Sequence, residues 1–349
     1  MTRIALRGDA AKAVLDAAVE ARAFPGAAAE AGTSAGPAWS AATGHLTYEP
    51  ESPRATAGTL YDLASLTKVI ATTSLAMRLV HQDRLQLDAR VSAWMPEWRE
   101  GAFADVRVRD LLEHAAGLPA WLPLFQTCTG REEYRRTIAA LAPAYPPRSK
   151  SLYSDLGFIV LGRVVESAGD RPLDALFDSF RAEASLGGTL AYRVERGRDV
   201  APTEFDPWRG RLPAGEVHDE NAFALGGVAP HAGLFGTAAD TGAFARVALR
   251  TFRDDTALGT PALMRVFARK SDVPGSSRAL GWDTMLAGSS CGAHMSPDAI
   301  GHTGFTGTSL WIDPARDAYF VLLTNRVHPS RDNNQIREVR RQFHSALLG

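Results

Sequence analysis

The sequence predicts an α/β (α+β) protein whose two ends build one sheet, with a helix at each terminus and a mainly helical region inserted between them. Three observations carry this expectation. After a first helix come short β-compatible stretches punctuated by glycine and proline, "GAAAEAGTS", "PAWSAATGHL" and "GTLYDLA". Helix-patterned segments fill the middle of the chain. The C-terminal stretch "AIGHTGFTGTSLWIDPARDAYFVLLTNR" reads as consecutive strands with a turn at Pro314 to Asp317. Strands at both ends are reconciled most simply by a shared sheet. The division expected is residues 1–75 with 275–349 for the sheet part and 76–274 for the helical part. A site at their junction would occupy a natural cleft.

The elements follow in order. Ala11, Val14, Leu15 and Ala18 fall on one face of an N-terminal amphipathic helix. From about Ser65 to His81, Leu66, Val69, Ile70, Thr73, Met77 and Val80 recur at helical spacing. Further helical segments are "VRVRDLLEHAAGLP", "REEYRRTIAALAP", "LGFIVLGRVVESAGD" and "PLDALFDSFRAEA", separated by proline and glycine. "ALGGVAPHAGLFGTAADTGAFARVAL" is a glycine-rich loop running into another helix, and "DNNQIREVRRQFHSALLG" is a closing helix.

Composition narrows the class. The 349 residues are 45% hydrophobic and 22% charged, an ordinary globular balance that suits one large domain or two closely built ones. Nothing in a formal net charge of -1 suggests nucleic acid or an anionic membrane as a partner. No run of about 18 apolar residues suggests a membrane span. The N-terminus lacks a continuous apolar core and carries acidic residues, unlike a signal peptide. A cytoplasmic location is therefore expected, or a periplasmic one if the chain is a trimmed form. Cys128 and Cys291 have no metal-type spacing and read as idle or buried thiols.

Three short motifs carry chemistry. In "LASLTKVIATT", Ser65 precedes Lys68 by three positions, and i and i+3 share a helix face. A serine hydroxyl needs a neighbouring group to draw off its proton. A lysine in a desolvated cleft can exchange a proton or stabilise an alkoxide, whereas arginine cannot act as the base. Only four lysines occur, Lys12, Lys68, Lys150 and Lys270, which gives this placement weight. Alone, a solvent-facing lysine after an N-cap serine explains it equally well. The second motif is Tyr153-Ser154-Asp155, immediately before a helix. Tyr153 could shuttle a proton, or it could be a packed loop tyrosine with Asp155 as a helix cap. The third is His302-Thr303-Gly304 on a strand near the C-terminus. It could bind substrate along a strand edge, with the glycine allowing close approach, or be an unremarked hairpin.

In this order and spacing the three motifs resemble those of the serine β-lactamase and penicillin-binding-protein-like superfamily, in its class C-like branch. That branch holds class C β-lactamases, D,D-peptidases, D-aminopeptidases and related esterases. "LLEHAAGLP", "AGLFGTAAD" and "GHTGFTGTSLWIDP" extend the resemblance over nearly the whole chain. The resemblance implies an antiparallel sheet with an inserted helical domain. It also implies a serine hydrolase working through an acyl-Ser65 intermediate, with Lys68 and Tyr153 handling protons. Asp155, His302, Thr303, Gly304 and Phe305 would line the substrate site, the oxyanion lying between the N–H groups of Ser65 and Phe305. No metal or organic cofactor is implied, and the partner is a small-molecule or peptide substrate. The oligomeric state is open.

Two departures from the family pattern matter. Asp155 stands where asparagine is usual. If ionised beside Lys68 it would keep the lysine charged and make Tyr153 the better proton acceptor; otherwise it only caps the helix. His302 stands where lysine is frequent, and a histidine is only partly charged near neutral pH. Small esters and D-amino-acid amides or peptides are therefore favoured substrates, with β-lactam hydrolysis an alternative. A sensor that acylates without turnover is a further alternative. Gly288-Ser289-Ser290-Cys291-Gly292 fits a nucleophile elbow but lacks its strand and helix context. His218, Asp219, Glu220 and His231 match no trusted metal-ligand spacing and read as a polar loop near the cleft.

Overall fold

A computed structural model describes residues 6–195 and 197–349. Residues 1–5, part of the stretch weighed above as a leader, lie outside the described residues. In chain order the elements are α1 (Gly8–Glu20), β1 (Gly26–Thr33), β2 (Gly36–Gly44), β3 (Tyr61–Asp62) and α2 (Ser74–His81). Then come α3 (Val108–Leu112), α4 (Gly130–Ala139), α5 (Asp155–Gly169), α6 (Leu173–Glu183) and α7 (Glu220–Ala224). The chain closes with β4 (Phe235–Gly236), α8 (Ala238–Thr251), α9 (Pro261–Ala268), β5 (Asp283–Thr284), β6 (Ile300–Thr303), β7 (Ser309–Asp313), β8 (Ala318–Thr324) and α10 (Ile336–Leu348).

The main sheet has the order β2-β1-β8-β7-β6-β5, and every neighbouring pair is antiparallel. Its centre is where the two ends of the chain meet, with Ala29 opposite Leu322 and Ala31 opposite Phe320. β1 is built mostly of small residues, four alanines and two glycines among its eight, and both its faces are covered. Ala27, Ala29 and Ala31 pack with Trp311, Phe320 and Leu322 under α1 and α10, through Leu15, Phe343 and Leu347. Ala28 faces the other core, which continues into the helical part of the chain. Each large apolar side chain removed from water in these layers, such as Leu15 or Phe343, contributes about 1.5–3 kcal/mol.

Three details differ from the sequence reading. β3 does not join the main sheet; it pairs with β4 in a separate two-stranded sheet beside the glycine-rich loop. α8, drawn from the middle of the chain, packs against β1, β7 and β8. Glu30 of β1 receives Arg246 Nη1 at 3.0 Å and the Tyr319 hydroxyl at 2.6 Å, pinning α8 to the sheet. The helix expected from Ser65 to His81 is not uniform: Lys68–Thr73 is π-helical before α2 begins. Val69, Ile70, Thr72 and Thr73 are β-branched and disfavour a tight α turn, and the Ser74 hydroxyl bonds the Val69 carbonyl at 2.8 Å. Such widened turns recur at functional sites.

Candidate active site

Ser65 follows a sharp turn out of β3. Ala64 has a φ of 47°, uncommon for a residue with a side chain. Asp62 holds it there: Oδ1 accepts the Ala64 N–H at 2.8 Å, and Oδ2 accepts the His218 N–H at 2.6 Å. The next three N–H groups, of Leu66, Thr67 and Lys68, bond back three residues at 3.0 Å each. These tight turns bring the Lys68 side chain back over Ser65.

Lys68 is fully buried. Its Nζ lies 3.1 Å from Ser65 Oγ, 2.9 Å from the His231 carbonyl and 2.7 Å from Asp155 Oδ1. An ammonium has three donors, and three oxygens meet it. Burial pulls the Lys68 pKa down, but the Asp155 carboxylate and the Tyr153 hydroxyl outweigh it, so the net shift is upward from 10.5. Lys68 is thus held as a cation. Asp155 is not the cap of α5: Ser154 is, accepting the Gly157 N–H at 3.1 Å. That leaves the Asp155 carboxylate free for Lys68.

Tyr153 stands beside this pair, with Lys68 Nζ 4.8 Å from its ring centre. Its hydroxyl is buried and finds no hydrogen-bond partner among the described residues. Burial raises the phenol above 10.0, and the Lys68 charge opposes the rise. The group is a neutral phenol.

The end of β6 is fastened to the turn that carries Ser65. Thr306 Oγ1 donates to the Asp62 carbonyl at 2.7 Å, and Thr308 Oγ1 to the Leu63 carbonyl at 3.0 Å. Gly304 fits between: a Cβ there would lie 2.1 Å from Thr308 Oγ1 and 2.6 Å from the Leu63 oxygen. The sequence reading gave this glycine to substrate approach, whereas the protein's own chain occupies the space. Arg340 Nη2 donates to the Gly304 and Thr308 carbonyls, both at 2.7 Å. In a trans peptide the N–H points opposite to the C=O, so the Phe305 N–H faces away from Arg340. Among the described residues, neither the Ser65 nor the Phe305 N–H has an acceptor.

His302 and Thr303 are placed differently from the expectation. His302 is buried, with Nδ1 2.8 Å from the Thr303 carbonyl and its ring 5.7 Å from that of Tyr153. Burial, then the Arg278 and Lys68 charges, push its pKa well below 6.5, so it is neutral rather than partly charged. Neither His302 nor Thr303 lines the cavity that holds Ser65.

That cavity, about 350 Å³, is lined by Ser65, Tyr153, Asp155 and Phe305, a size suited to a small molecule. Its other walls come from residues that sequence reasoning left out or set aside: Trp121, His218, Asp219, Glu220, His231 and Arg331. The would-be metal residues pair among themselves and with neighbours. His231 Nε2 is 2.9 Å from Asp219 Oδ1, His218 Nε2 is 2.7 Å from Glu204 Oε1, and Glu220 Oε1 accepts from Arg331 at 2.7 Å. No metal-holding group of three or more such side chains occurs among the described residues. In the sequence the "VHDEN" cluster reads as a polar loop near the cleft, and the structure sets it in the wall of the cavity that holds Ser65. The elbow-like Gly288 to Gly292 segment is a loop in which Ser290 Oγ accepts the Trp311 indole N–H at 3.2 Å. Burial pushes the adjacent Cys291 thiol up to about 12.

Comparison with known proteins shows the family and the fold. Residues 11–344 match the Beta-lactamase family. An N-acetylmuramyl-L-alanine amidase of Bacillus subtilis (strain 168) is 33% identical over 304 residues, covering 77% of this chain and 68% of that protein. A putative D-alanyl-D-alanine carboxypeptidase of Escherichia coli (strain K12) is 31% identical over 310 residues, covering 79% and 71%. EstCE1, described as a hydrolase with promiscuous acyltransferase activity, superposes with a TM-score of 0.78 over 98% of both chains at 20% identity. A class C β-lactamase from Rhodobacter sphaeroides does so at 0.76, over 98% of this chain and 100% of that one, at 16% identity. The chain belongs to the Beta-lactamase family and is a serine hydrolase of that family.

Proposed function

We propose that the chain hydrolyses a small amide or ester through an acyl-Ser65 intermediate, with the scissile bond in a muramyl- or D-alanyl-bearing amide of the kind its relatives' names describe. The observation that carries this reading is the buried Lys68 ammonium 3.1 Å from Ser65 Oγ and 2.7 Å from Asp155. A cation held there stabilises the alkoxide as Ser65 attacks the carbonyl carbon. The proton leaving Ser65 passes to Tyr153, whose neutral phenol gives its own proton to the leaving nitrogen or oxygen. The phenol therefore never has to ionise by itself. The oxyanion is received by the N–H groups of Ser65 and Phe305, both without acceptors among the described residues, on segments that the Thr306 and Thr308 hydroxyls tie to each other. Water then enters the same geometry and releases the acyl group.

The neutral, buried His302 weakens the case for a β-lactamase, because it supplies no fixed charge for a β-lactam carboxylate. The test is time-resolved intact mass spectrometry of wild type and Ser65→Ala with a chromogenic ester, an N-acetylmuramyl-L-alanyl peptide, a D-alanyl-D-alanine peptide and a cephalosporin. The expected result is an adduct on Ser65 that forms and decays, fastest with one of the two peptides. Fastest turnover of the cephalosporin would make the chain a β-lactamase, and a persistent adduct would make it a sensor. Turnover surviving in Ser65→Ala would end the assignment.

A further inference from the structure

We infer that His114, which no step above uses, is the residue that positions Tyr153. This rests on Tyr153 acting as the proton shuttle. His114 follows α3 and adopts a φ of 56°, in the left-handed region. That turn aims both its carbonyl and its ring at the loop carrying Tyr153. The Leu152 N–H donates to the His114 carbonyl at 2.9 Å, and the Ser154 N–H donates to His114 Nδ1 at 3.0 Å. The N–H groups of the two residues on either side of Tyr153 therefore end on one residue. The Ser151 hydroxyl adds a bond to the preceding Glu113 carbonyl at 2.8 Å, and the Tyr145 hydroxyl holds the His114 carbonyl from another side at 3.0 Å. The His114 ring also lies 4.7 Å from the Tyr153 ring and 5.0 Å from that of Phe158.

Because Nδ1 accepts an N–H, its lone pair is free of a proton and the ring's hydrogen sits on Nε2. That Nε2 is buried without a partner among the described residues. A side chain chosen for stability alone would not leave a donor unpaired there. The arrangement is understandable if the acceptor at Nδ1 and the left-handed backbone are what the position requires. Asparagine satisfies both: it tolerates φ > 0, and its Oδ1 falls near the place of Nδ1. Glycine satisfies only the backbone.

The experiment compares His114→Asn and His114→Gly, with Tyr153→Phe as control, in pre-steady-state acylation by p-nitrophenyl acetate and in thermal unfolding. A displaced catalytic group about 1 Å off its position costs on the order of a hundredfold. The expected result is an acylation rate constant lowered about ten- to a hundredfold in His114→Gly, at little-changed apparent affinity, and restored to within about threefold of wild type in His114→Asn. A purely structural histidine would lower the unfolding temperature of both variants without separating their acylation rates. Equal rates in the two variants would overturn the inference. Should His114→Gly fail to fold, Tyr145→Phe reads the same clamp. A lowered acylation rate at unchanged affinity supports it, and a wild-type rate overturns it. An inactive Tyr153→Phe beside a fully active His114→Gly removes the clamp alone. A fully active Tyr153→Phe removes the shuttle and the clamp together.

Discussion

Lys68 Nζ and Asp155 Oδ1 lie 2.7 Å apart, with the lysine fully buried and the carboxylate, which lines the cavity, at the first position of α5. The helix N-terminus favours the negative charge there, and the pair keeps the lysine charged. Replacing Asp155 by asparagine removes the largest influence that raises the Lys68 pKa, leaving burial to lower it. If catalysis uses the charged lysine, Asp155→Asn should leave activity at neutral pH within about tenfold of wild type. The alkaline limb of the rate profile should then move to lower pH. A shift of the acidic limb instead would mean that neutral Lys68 is the base. The measurement is the pH dependence of acylation rate in both proteins.

Gly304→Ala should disrupt fold and rate together. Its Cβ would meet the Leu63 carbonyl at 2.6 Å, and backbone cannot step aside as a side chain can. Overpacking of this kind costs about 1–3 kcal/mol. The same displacement carries the Phe305 N–H away from Ser65, and loss of one oxyanion donor lowers kcat by about a hundredfold or more. Thermal unfolding and steady-state kinetics check both halves. A stable, fully active variant would show that the end of β6 has room the structure does not give it.

Much of this site was legible in the sequence because its chemistry sits in short motifs. Ser65 and Lys68 are one turn apart, so local geometry alone brings them together. The split sheet was legible too, since β-compatible stretches at both ends leave few other ways to bury them. What was not legible depends on contacts between residues far apart in the chain. Asp155 read equally well as a cap, because nothing local says that Ser154 takes that place while Asp155 turns to Lys68. His302 read as a partly charged ligand, because burial, not residue type, sets its protonation. The Asp219–His231 pair joins the cavity wall only through the glycine-rich loop, whose Pro230 and His231 carbonyls accept from Thr72 and Lys68 at 2.7 and 2.9 Å.

Acid should unfold the protein from below about pH 6.5, by way of its buried histidines. Burial lowers His114 and His302 well below 6.5 and His344 to about 3. A histidine depressed in the folded state binds its proton first in the unfolded chain. Stability is therefore intact above 6.5 and lost as pH falls toward the folded value. Each such group contributes a slope of about 1.4 kcal/mol per pH unit in that window. Chemical denaturation between pH 7 and 4 should show this steep fall. His344→Phe, remote from the cavity, should reduce the slope by one histidine's share while leaving those of His114, His302 and the less buried His328. An unchanged slope would mean that His344 titrates alike in both states.

Arg340 tests the oxyanion assignment without touching the cavity. Its guanidinium reaches from α10 to the Gly304 and Thr308 carbonyls and so fixes the plane of the Gly304–Phe305 peptide. Arg340→Met keeps the bulk of the stem but removes the charged donor from both carbonyls, leaving the Gly304 carbonyl with the Gly307 N–H at 3.1 Å and the Thr308 carbonyl with the Gly304 N–H at 2.7 Å. Losing a hydrogen bond to a charged group costs about 1.5–3 kcal/mol. With only the longer Gly307 bond to hold the Gly304 carbonyl, the peptide plane can tilt and carry the Phe305 N–H with it. The Trp121 and Phe305 side chains that line the cavity are not altered, so KM should change little. The expected loss is therefore in kcat, by about tenfold or more, because the donor acts on charge that develops in the transition state. Steady-state kinetics on the best substrate of the mass-spectrometric panel decide the matter. A destabilised variant with undiminished kcat would show that the Phe305 N–H does not receive the oxyanion, and that the second donor must be sought elsewhere on the cavity wall.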